Sequence, residues 1–579
     1  MRIVFVEIEN FRGIKKLQWA PAAKVNCLIG PGDSTKTTIL DAIELALNPR
    51  SYPFADDSDF FNTDHSRAVS ITVTLAGLPA EFKADDKYGL HLRGWNPQTS
   101  KIEDEPTDGL EDALSLRVTI DGALEARWSI FNERIPKDEP DPPALRYKHA
   151  RQLSTTRLGP YAERHLGWSR QSVLTRLGES ADGLSLQLAE ANRAAREAFR
   201  AGNQDVFKAT VARAETLGKL FSVPIREKYA AELDVQGVSI TAGGISLHDG
   251  KLPLRRLGTG SSRLIVSALQ HDAGGSNIAL IDEVEHGLEP HRIARLLKYL
   301  SARSVDGSKS APSQIFMTTH SPVVIRELTA ADIYAVRCNA GLTDVKSVSG
   351  TARDLNTAQA HLRRTPDAFL ARKVIVGEGK TEQGLLRGLD AFWSIKGNSD
   401  SFALCGANAI DGGGNASAPV IAEHLLDLGY GVFLLLDSDK KANATLVETI
   451  RKKGGVVHEW AGNCSTEERI FQDVPWATVV AIFRFAVECV TADSVKYHLN
   501  KVCKELGLVE VADLTLPATL DTPAFRGAIG KAAKNEGNPW FKDITRGERL
   551  GDIVGECLEK VPATPLAQGF ASLRQWLDG

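Results

Sequence analysis

The 579-residue sequence lacks any apolar stretch near the ~18 residues needed to cross a bilayer. The cleanest apolar run of its C-terminal half is Tyr430-Gly-Val-Phe-Leu-Leu-Leu436. A secretory leader is not expected either, because Glu7 and Glu9 interrupt the opening MRIVFVEIENFRGI where an unbroken apolar core would be required. The seven cysteines contain no CxxC pair, which argues against a disulfide frame and a zinc site and for reduced thiols. A soluble, cytoplasmic protein without a membrane partner is expected. Global basicity is missing too: Lys+Arg is 69 against Asp+Glu 73, a net charge of -4. Any nucleic-acid contact must therefore come from a local patch. Internal repeats and low-complexity tracts are absent. What is present is an ordinary globular composition, 43% hydrophobic and 25% charged, long enough for three to five domains or subdomains at ~100–200 residues each.

The first 50 residues read strand, turn, strand, glycine loop, helix, with Ile39, Ile43 and Leu47 at helical spacing. Ile71–Leu75 alternates as a strand does. Residues 96–143, rich in Asp, Glu and Pro, read as a solvated excursion or β-arm rather than core. Residues 180–235 have helical composition. The strand-loop-helix pattern returns from Ile278, and Asp306–Ser313 reads as a loop. A second α/β unit begins near Arg372. These features predict an α/β protein with domains at 1–345 and 371–579 joined by a polar linker over 346–370.

Gly30-Pro-Gly32-Asp-Ser-Thr35-Lys36-Thr37 lies between a strand and a helix, the setting of a phosphate-binding loop. Backbone N–H groups and the helix N-terminus would face phosphates, Lys36 would reach the β/γ oxygens, and Thr37 could ligate Mg²⁺. Thr35 stands where the loop ordinarily has glycine. The strand Ile278–Ile281 ends in Asp282 and Glu283, suited to holding Mg²⁺ through water and polarising an attacking water. A third strand, Ile315–Thr318, leads to His320, a position suited to sensing a γ-phosphate. Leu257-Gly258-Thr-Gly260-Ser261-Ser-Arg263 is a glycine-rich turn opening a helix, a second anion-binding terminus.

In the C-terminal half, Gly377-Glu378-Gly-Lys-Thr-Glu382 follows a strand and opens a helix. Glu382 is four residues beyond Glu378 and shares its helical face. Asp437-Ser-Asp439 closes another strand, with both carboxylates on one side. Four carboxylates at strand ends suit a hard cation such as Mg²⁺ or Mn²⁺, because without one they would repel. Two ions so held activate water and stabilise a leaving oxygen in phosphodiester cleavage.

The nucleotide elements, in this order, resemble the ATP-binding-cassette class of ATPases. That resemblance implies a site in which Gly30, Gly32, Thr35, Lys36, Thr37 and Thr38 of one subunit meet Gly258, Gly260, Ser261 and Arg263 of another across ATP. Asp282, Glu283 and His320 complete it. Glu9-Asn-Phe-Arg-Gly13 is similar to the opening of the recombination and chromosome-maintenance branch, although no long coiled coils are visible. The carboxylate half resembles the Toprim domain of topoisomerases, primases and related nucleases. The pairing of the two is similar to the OLD (overcoming lysogenisation defect) endonucleases, class 2, which include the nuclease subunit of the Gabija antiphage system. By that resemblance the metal acids are Glu378, Glu382, Asp437, Asp439 and Glu467, with Glu468 the adjacent alternative. Lys542 of Trp540-Phe541-Lys542 would stabilise charge growing on phosphate. The family further implies ATP and Mg²⁺ (or Mn²⁺) as cofactors, DNA as substrate, a homodimer or higher homo-oligomer through a helical insert at 180–235, a helicase-like partner and a role in antiphage defence.

Leu145–Leu177 carries seven Arg or Lys against the single acid Glu163, interleaved with Tyr147, Tyr161 and Trp168. Two readings are open. The stretch tracks a nucleic-acid backbone, or its arginines pair with the acidic stretch before it.

Overall fold

The computed structural model describes the chain except for residues 49–54, 136–142, 154, 160–161, 169–171, 178–183, 203, 221–227, 233–244, 273–277, 302–313, 397–399 and 536. The described chain is mixed α/β and divides into two units, one of residues 3–145 and 316–579, the other of residues 146–315.

In the first unit the hairpin Arg2–Phe11 and Ile14–Trp19 pairs antiparallel, with Val6 opposite Trp19. Strand order runs Lys101–Glu103, Arg93–Asn96, Glu111–Ile120, Val69–Ala76, Arg2–Phe11, Ile14–Trp19, Leu342–Ser347, Ile333–Asn339, Val25–Ile29. Val25–Ile29 is buried at every position and runs parallel to Ile333–Asn339, which suits its mainly apolar sequence, and the one polar member, Asn26, bonds the Ala22 backbone. The helix Lys36–Leu47 follows it, burying Ile39, Leu40, Ile43 and Leu47. The expectation for residues 96–143 is corrected here. Glu111–Ile120 pairs with three strands, Val69–Ala76, Arg93–Asn96 and Ala126–Phe131, and buries Ala113, Leu114, Leu116, Val118 and Ile120. Its two leading acids hide a period-two apolar pattern that begins at Leu114.

The C-terminal part of this unit builds a separate parallel sheet of four strands, ordered Ala407–Asp411, Lys373–Gly377, Gly431–Leu436, Val456–Glu459. The helix Lys380–Ile395 packs along Ile544–Leu558 with glycine facing glycine. A Cβ on Gly384 would collide with Ile544 O, on Gly388 with Glu548 O, and on Gly551 with Leu385 O. Helices Trp476–Cys489, Ala492–Glu505, Pro523–Ala533 and Pro565–Asp578 share the core beneath, centred on Phe433, Trp460, Phe483, Trp540 and Phe570. Residues 346–370 contain the helices Val348–Thr351 and Leu355–Arg364.

The second unit pairs Thr156–Leu158 with Ile278–Ile281 in parallel, and carries the helices Thr259–Asp272 and Pro290–Ser301. Within 180–235 it contains the helices Leu184–Ala201 and Asp205–Leu220, with Leu186, Val206, Phe207, Leu217 and Leu220 exposed. The rest of that expected insert, and the expected loop Asp306–Ser313, lie wholly or partly outside the described residues. All seven cysteines are free thiols. Among the described residues no helix is long and apolar enough to cross a membrane.

Candidate functional site

The phosphate loop turns between the strand Val25–Ile29 and the helix Lys36–Leu47. Lys36 is buried, and its Nζ donates to Gly30 O at 3.1 Å, Pro31 O at 2.8 Å and Ser34 Oγ at 3.1 Å, so the ammonium sits in the mouth of the loop. Gly30 has φ +146°, and an added Cβ would lie 2.6 Å from Val336 O, so no other residue fits. Gly32 has no such neighbour. Thr35, the residue at the usual glycine position, adopts the left-handed conformation at φ 67° and sets its Oγ1 3.3 Å from Thr343 Oγ1. Thr37 and Thr38 open the helix, Thr37 exposed and Thr38 half-buried. His320 is exposed just after Phe316–Thr318; the preceding Thr319 N–H donates to Leu28 O at 3.3 Å, beside the loop's own strand.

The remaining nucleotide candidates belong to the second unit. Asp282 is buried and pairs with Arg157 at 3.1 Å. Glu283 has φ 46° and stands 3.4 Å from His286 Nδ1. Gly258 is exposed, Ser261 Oγ accepts from Arg292 at 3.2 Å, and Gly260 lies so close to Gly287 O that a Cβ would collide. Arg263 faces inward: its guanidinium is fully buried on Gly159 O (2.7 Å), Asp282 O (2.9 Å) and Glu283 O (2.9 Å). It holds the turn that presents the two acids.

In the basic stretch, Arg146, Lys148 and Arg164 are exposed, and the largely buried Arg157 pairs with Asp282. Tyr161 and Arg170 lie outside the described residues, as do the side chains of Tyr147, Arg151 and Arg176.

The C-terminal carboxylates converge. Glu378, Glu382, Asp437, Asp439 and Glu467 line one cleft of about 840 Å³, together with Asp411, Lys380, Lys440, Lys534 and Lys542. The parallel sheet places Glu378 and Asp437 at the same ends of neighbouring strands, and Asp437 N–H donates to Glu378 Oε2 at 3.1 Å. Glu382 caps its own helix through Gly379 N–H at 2.8 Å. Asp437 Oδ1 accepts from Thr466 N–H at 2.9 Å and Thr466 Oγ1 at 2.8 Å. Glu468 turns away, accepting from Ser465 N–H at 3.0 Å and Lys534 at 2.7 Å. Asp411 accepts from Gly413 N–H at 2.8 Å and pairs with Arg364 at 2.9 Å.

Burial, then repulsion from Glu467, lifts Glu382 to about 7. Asp437 is raised well above the ordinary carboxylate range by burial and by Glu382, Glu467 and Glu378. Glu378 is raised, chiefly by burial. An all-oxygen donor set whose buried members Glu382 and Asp437 repel one another fits a hard divalent cation. Among the described residues, no three His, Cys, Asp or Glu side chains are already gathered at ligating distance.

The loop and the cleft share the first unit. Next to Val336, which packs on Gly30, Arg337 reaches into the C-terminal sheet region. Its guanidinium lies 3.5 Å over the Tyr430 ring and donates to Ala371 O at 3.2 Å, and Tyr430 OH donates to Phe369 O at 2.6 Å. Motif reading did not find Lys534 or the paired glycines. The glycines left a signal, Gly384-x-x-x-Gly388 and Gly547-x-x-x-Gly551-x-x-x-Gly555.

A family model described as "AAA domain, putative AbiEii toxin, Type IV TA system" matches residues 25–326, more than half of the chain. An OLD nuclease of Thermus scotoductus is 37% identical over 71 residues, 12% of this chain and 13% of that protein. The chain thus matches only about an eighth of that relative's length. A solved Smc head bound to the C-winged helix domain of ScpA shares 14% identity at a TM-score of 0.32, covering 60% of this chain and 97% of its own. The SMC head domain of Thermotoga maritima shares 13% at 0.29, covering 60% and 99%.

Proposed function

The chain belongs to this AAA-domain family, and from that premise we propose that it is an ATP-regulated, divalent-metal-dependent DNA endonuclease of the OLD type, class 2 and Gabija-like. The observation that carries the reading is the convergence of Glu378, Glu382, Asp437, Asp439 and Glu467 with Lys542 in one cleft at the ends of a parallel sheet. That architecture agrees with a Toprim fold for residues 371–579, with 1–345 as the ATPase part. Bound Mg²⁺ or Mn²⁺ would supply Lewis acidity and a water of lowered pKa.

The chain's own contribution is to position. Thr466 fixes Asp437 through two hydrogen bonds, and the Gly379 N–H fixes Glu382, so both carboxylates are oriented before any substrate arrives. Lys542 follows the buried Trp540-Phe541 anchor, which carries its ammonium to the cleft rim where a phosphate would develop charge. In the ATPase part, Lys36 would neutralise the β/γ oxygens, Asp282 would hold the nucleotide's Mg²⁺, and Glu283 and His320 would attend the attacking water and γ-phosphate. The exposed apolar residues of Leu184–Ala201 and Asp205–Leu220 fit an association surface between copies. A cytoplasmic role in antiphage defence, beside a helicase-like partner, belongs to the same reading.

Supercoiled plasmid incubated with Mn²⁺ or Mg²⁺ tests the proposal. Nicked or linear product from the wild type and at least ~100-fold less from Glu378→Ala or Lys542→Ala is expected. Equal cleavage by Glu378→Ala rejects it. A second reading, a DNA-binding ATPase whose C-terminal part serves structure alone, draws on the absence of a pre-gathered ligand trio among the described residues. It predicts DNA-stimulated ATP hydrolysis with intact plasmid under every metal.

A further inference from the structure

We propose that Arg372 is a specificity-determining residue of the nucleotide site, reaching the terminal phosphate of ATP from the start of the C-terminal sheet and so favouring ATP over ADP. The inference rests on the nucleotide-binding reading of the phosphate loop and adds a contact from a part of the chain that reading does not use.

The observation is a second cavity. A pocket of about 370 Å³ is lined by Pro31 and Gly32 of the phosphate loop and by Asp367, Arg372, Gly406 and Asn408 beside the C-terminal sheet. It lies at the starts of two neighbouring strands, Lys373–Gly377 and Ala407–Asp411, whereas the acidic cleft is lined by Glu378 and Asp411 at their other ends. On the loop side Gly32 is exposed, and an added Cβ would meet nothing within 4 Å, so the apex of the loop faces open space.

Arg372 has a fixed stem and an uncompensated charge. A Cβ on Gly406, at φ +66°, would lie 3.0 Å from the Arg372 Cδ and 3.2 Å from its Cβ and Cγ, and the Arg372 N–H donates to Gly406 O at 2.8 Å. The residue is exposed, and among the described residues no carboxylate, Asp367 included, stands within ion-pair distance of its guanidinium. The next residue, Lys373, is the contrast: its Nζ donates to Trp576 O at 3.0 Å and Leu577 O at 2.8 Å. A guanidinium that shares a pocket with a phosphate loop and has no acid of its own suits phosphate oxygens, which match its fork of N–H donors. Which phosphate it meets follows from the build of the loop. The inner amides, the helix terminus and Lys36 serve the α- and β-phosphates and reach toward the γ. A cation approaching the exposed apex at Gly32 from outside meets the last phosphate, which ADP lacks.

The test is calorimetric titration of the full-length chain with ADP and with the non-hydrolysable β,γ-imido analogue of ATP, both in Mg²⁺. Arg372→Gln should weaken the ATP analogue at least ~10-fold and ADP by less than ~2-fold, and the retained ADP binding shows that the loop is folded. Arg372→Lys, which keeps stem and charge but not the fork, should recover part of the loss. Lys36→Ala should weaken both nucleotides. Equal weakening of the two nucleotides in Arg372→Gln, or none in either, overturns the proposal while leaving the nucleotide site intact. Binding unchanged in Lys36→Ala, or absent in the wild type, overturns both.

Discussion

Thr35 shows how a single residue departs from its motif without breaking it. A β-branched side chain at φ 67° carries ~1–2 kcal/mol of strain that glycine would not. Thr35→Gly should therefore stabilise the chain by up to about 1 kcal/mol in denaturant titration, less the lost contact with Thr343. A destabilised variant would mean that this contact outweighs the strain.

His361 and His424 give a second residue-scale prediction. His424 Nε2 faces Val348 O at 2.9 Å and must donate, so its Nδ1 accepts from His361 Nδ1, also at 2.9 Å. Burial, with the neighbouring ring's charge, lowers His361 to about 4, and burial lowers His424 too. The fold therefore favours the neutral rings. Their stabilisation is complete above the unfolded histidine range near 6.5 and declines as pH falls toward 4. Wild type should lose about 1–2 kcal/mol between pH 7.5 and 5 through His361, and His361→Gln should flatten that part of the slope. An unchanged slope would contradict the buried neutral pair.

At the scale of elements, the two glycine-lined helices set the width of the cleft. Lys380–Ile395 carries Glu382, and Ile544–Leu558 begins two residues after Lys542. Gly388→Ala should cost about 1–3 kcal/mol and lower metal-dependent cleavage, because the helices can separate only by moving those groups apart. Gly527→Ala, where an added Cβ meets nothing within 4 Å, should instead gain about 0.5–1 kcal/mol. Equal stability of the two variants would refute the close-packing account.

This scale also marks where sequence reading stops. Strands running into turns at Gly30 and Glu378 were legible because local order alone writes them. Glu111–Ile120 was hidden by its acidic start, although Leu114, Leu116, Val118 and Ile120 alternate plainly. Lys534 left no local trace. Its partners Asp439 and Glu468 are 95 and 66 residues away, and only the packing of Gly530 on Glu468 delivers it.

For the whole molecule, control of the cleft by the phosphate loop needs a physical link, and Arg337 is placed to be one. It follows the residue that packs on Gly30, and its guanidinium is buried on Tyr430 and Ala371. Arg337→Met should leave ATP binding nearly unchanged while removing the effect of ATP on cleavage, read by nucleotide titration beside plasmid nicking. Tyr430→Phe, which keeps the ring but loses the bond to Phe369 O, should cost about 1 kcal/mol and preserve the effect. Identical ATP responses in wild type and Arg337→Met would place the link elsewhere. The central claim, that nucleotide held by the phosphate loop governs a metal-dependent cut in the carboxylate cleft, is tested most directly by plasmid nicking rates in Mn²⁺ with and without ATP, for wild type and Lys36→Ala. The account predicts that ATP changes the wild-type rate and leaves Lys36→Ala unmoved; an ATP effect of equal size in both would contradict it.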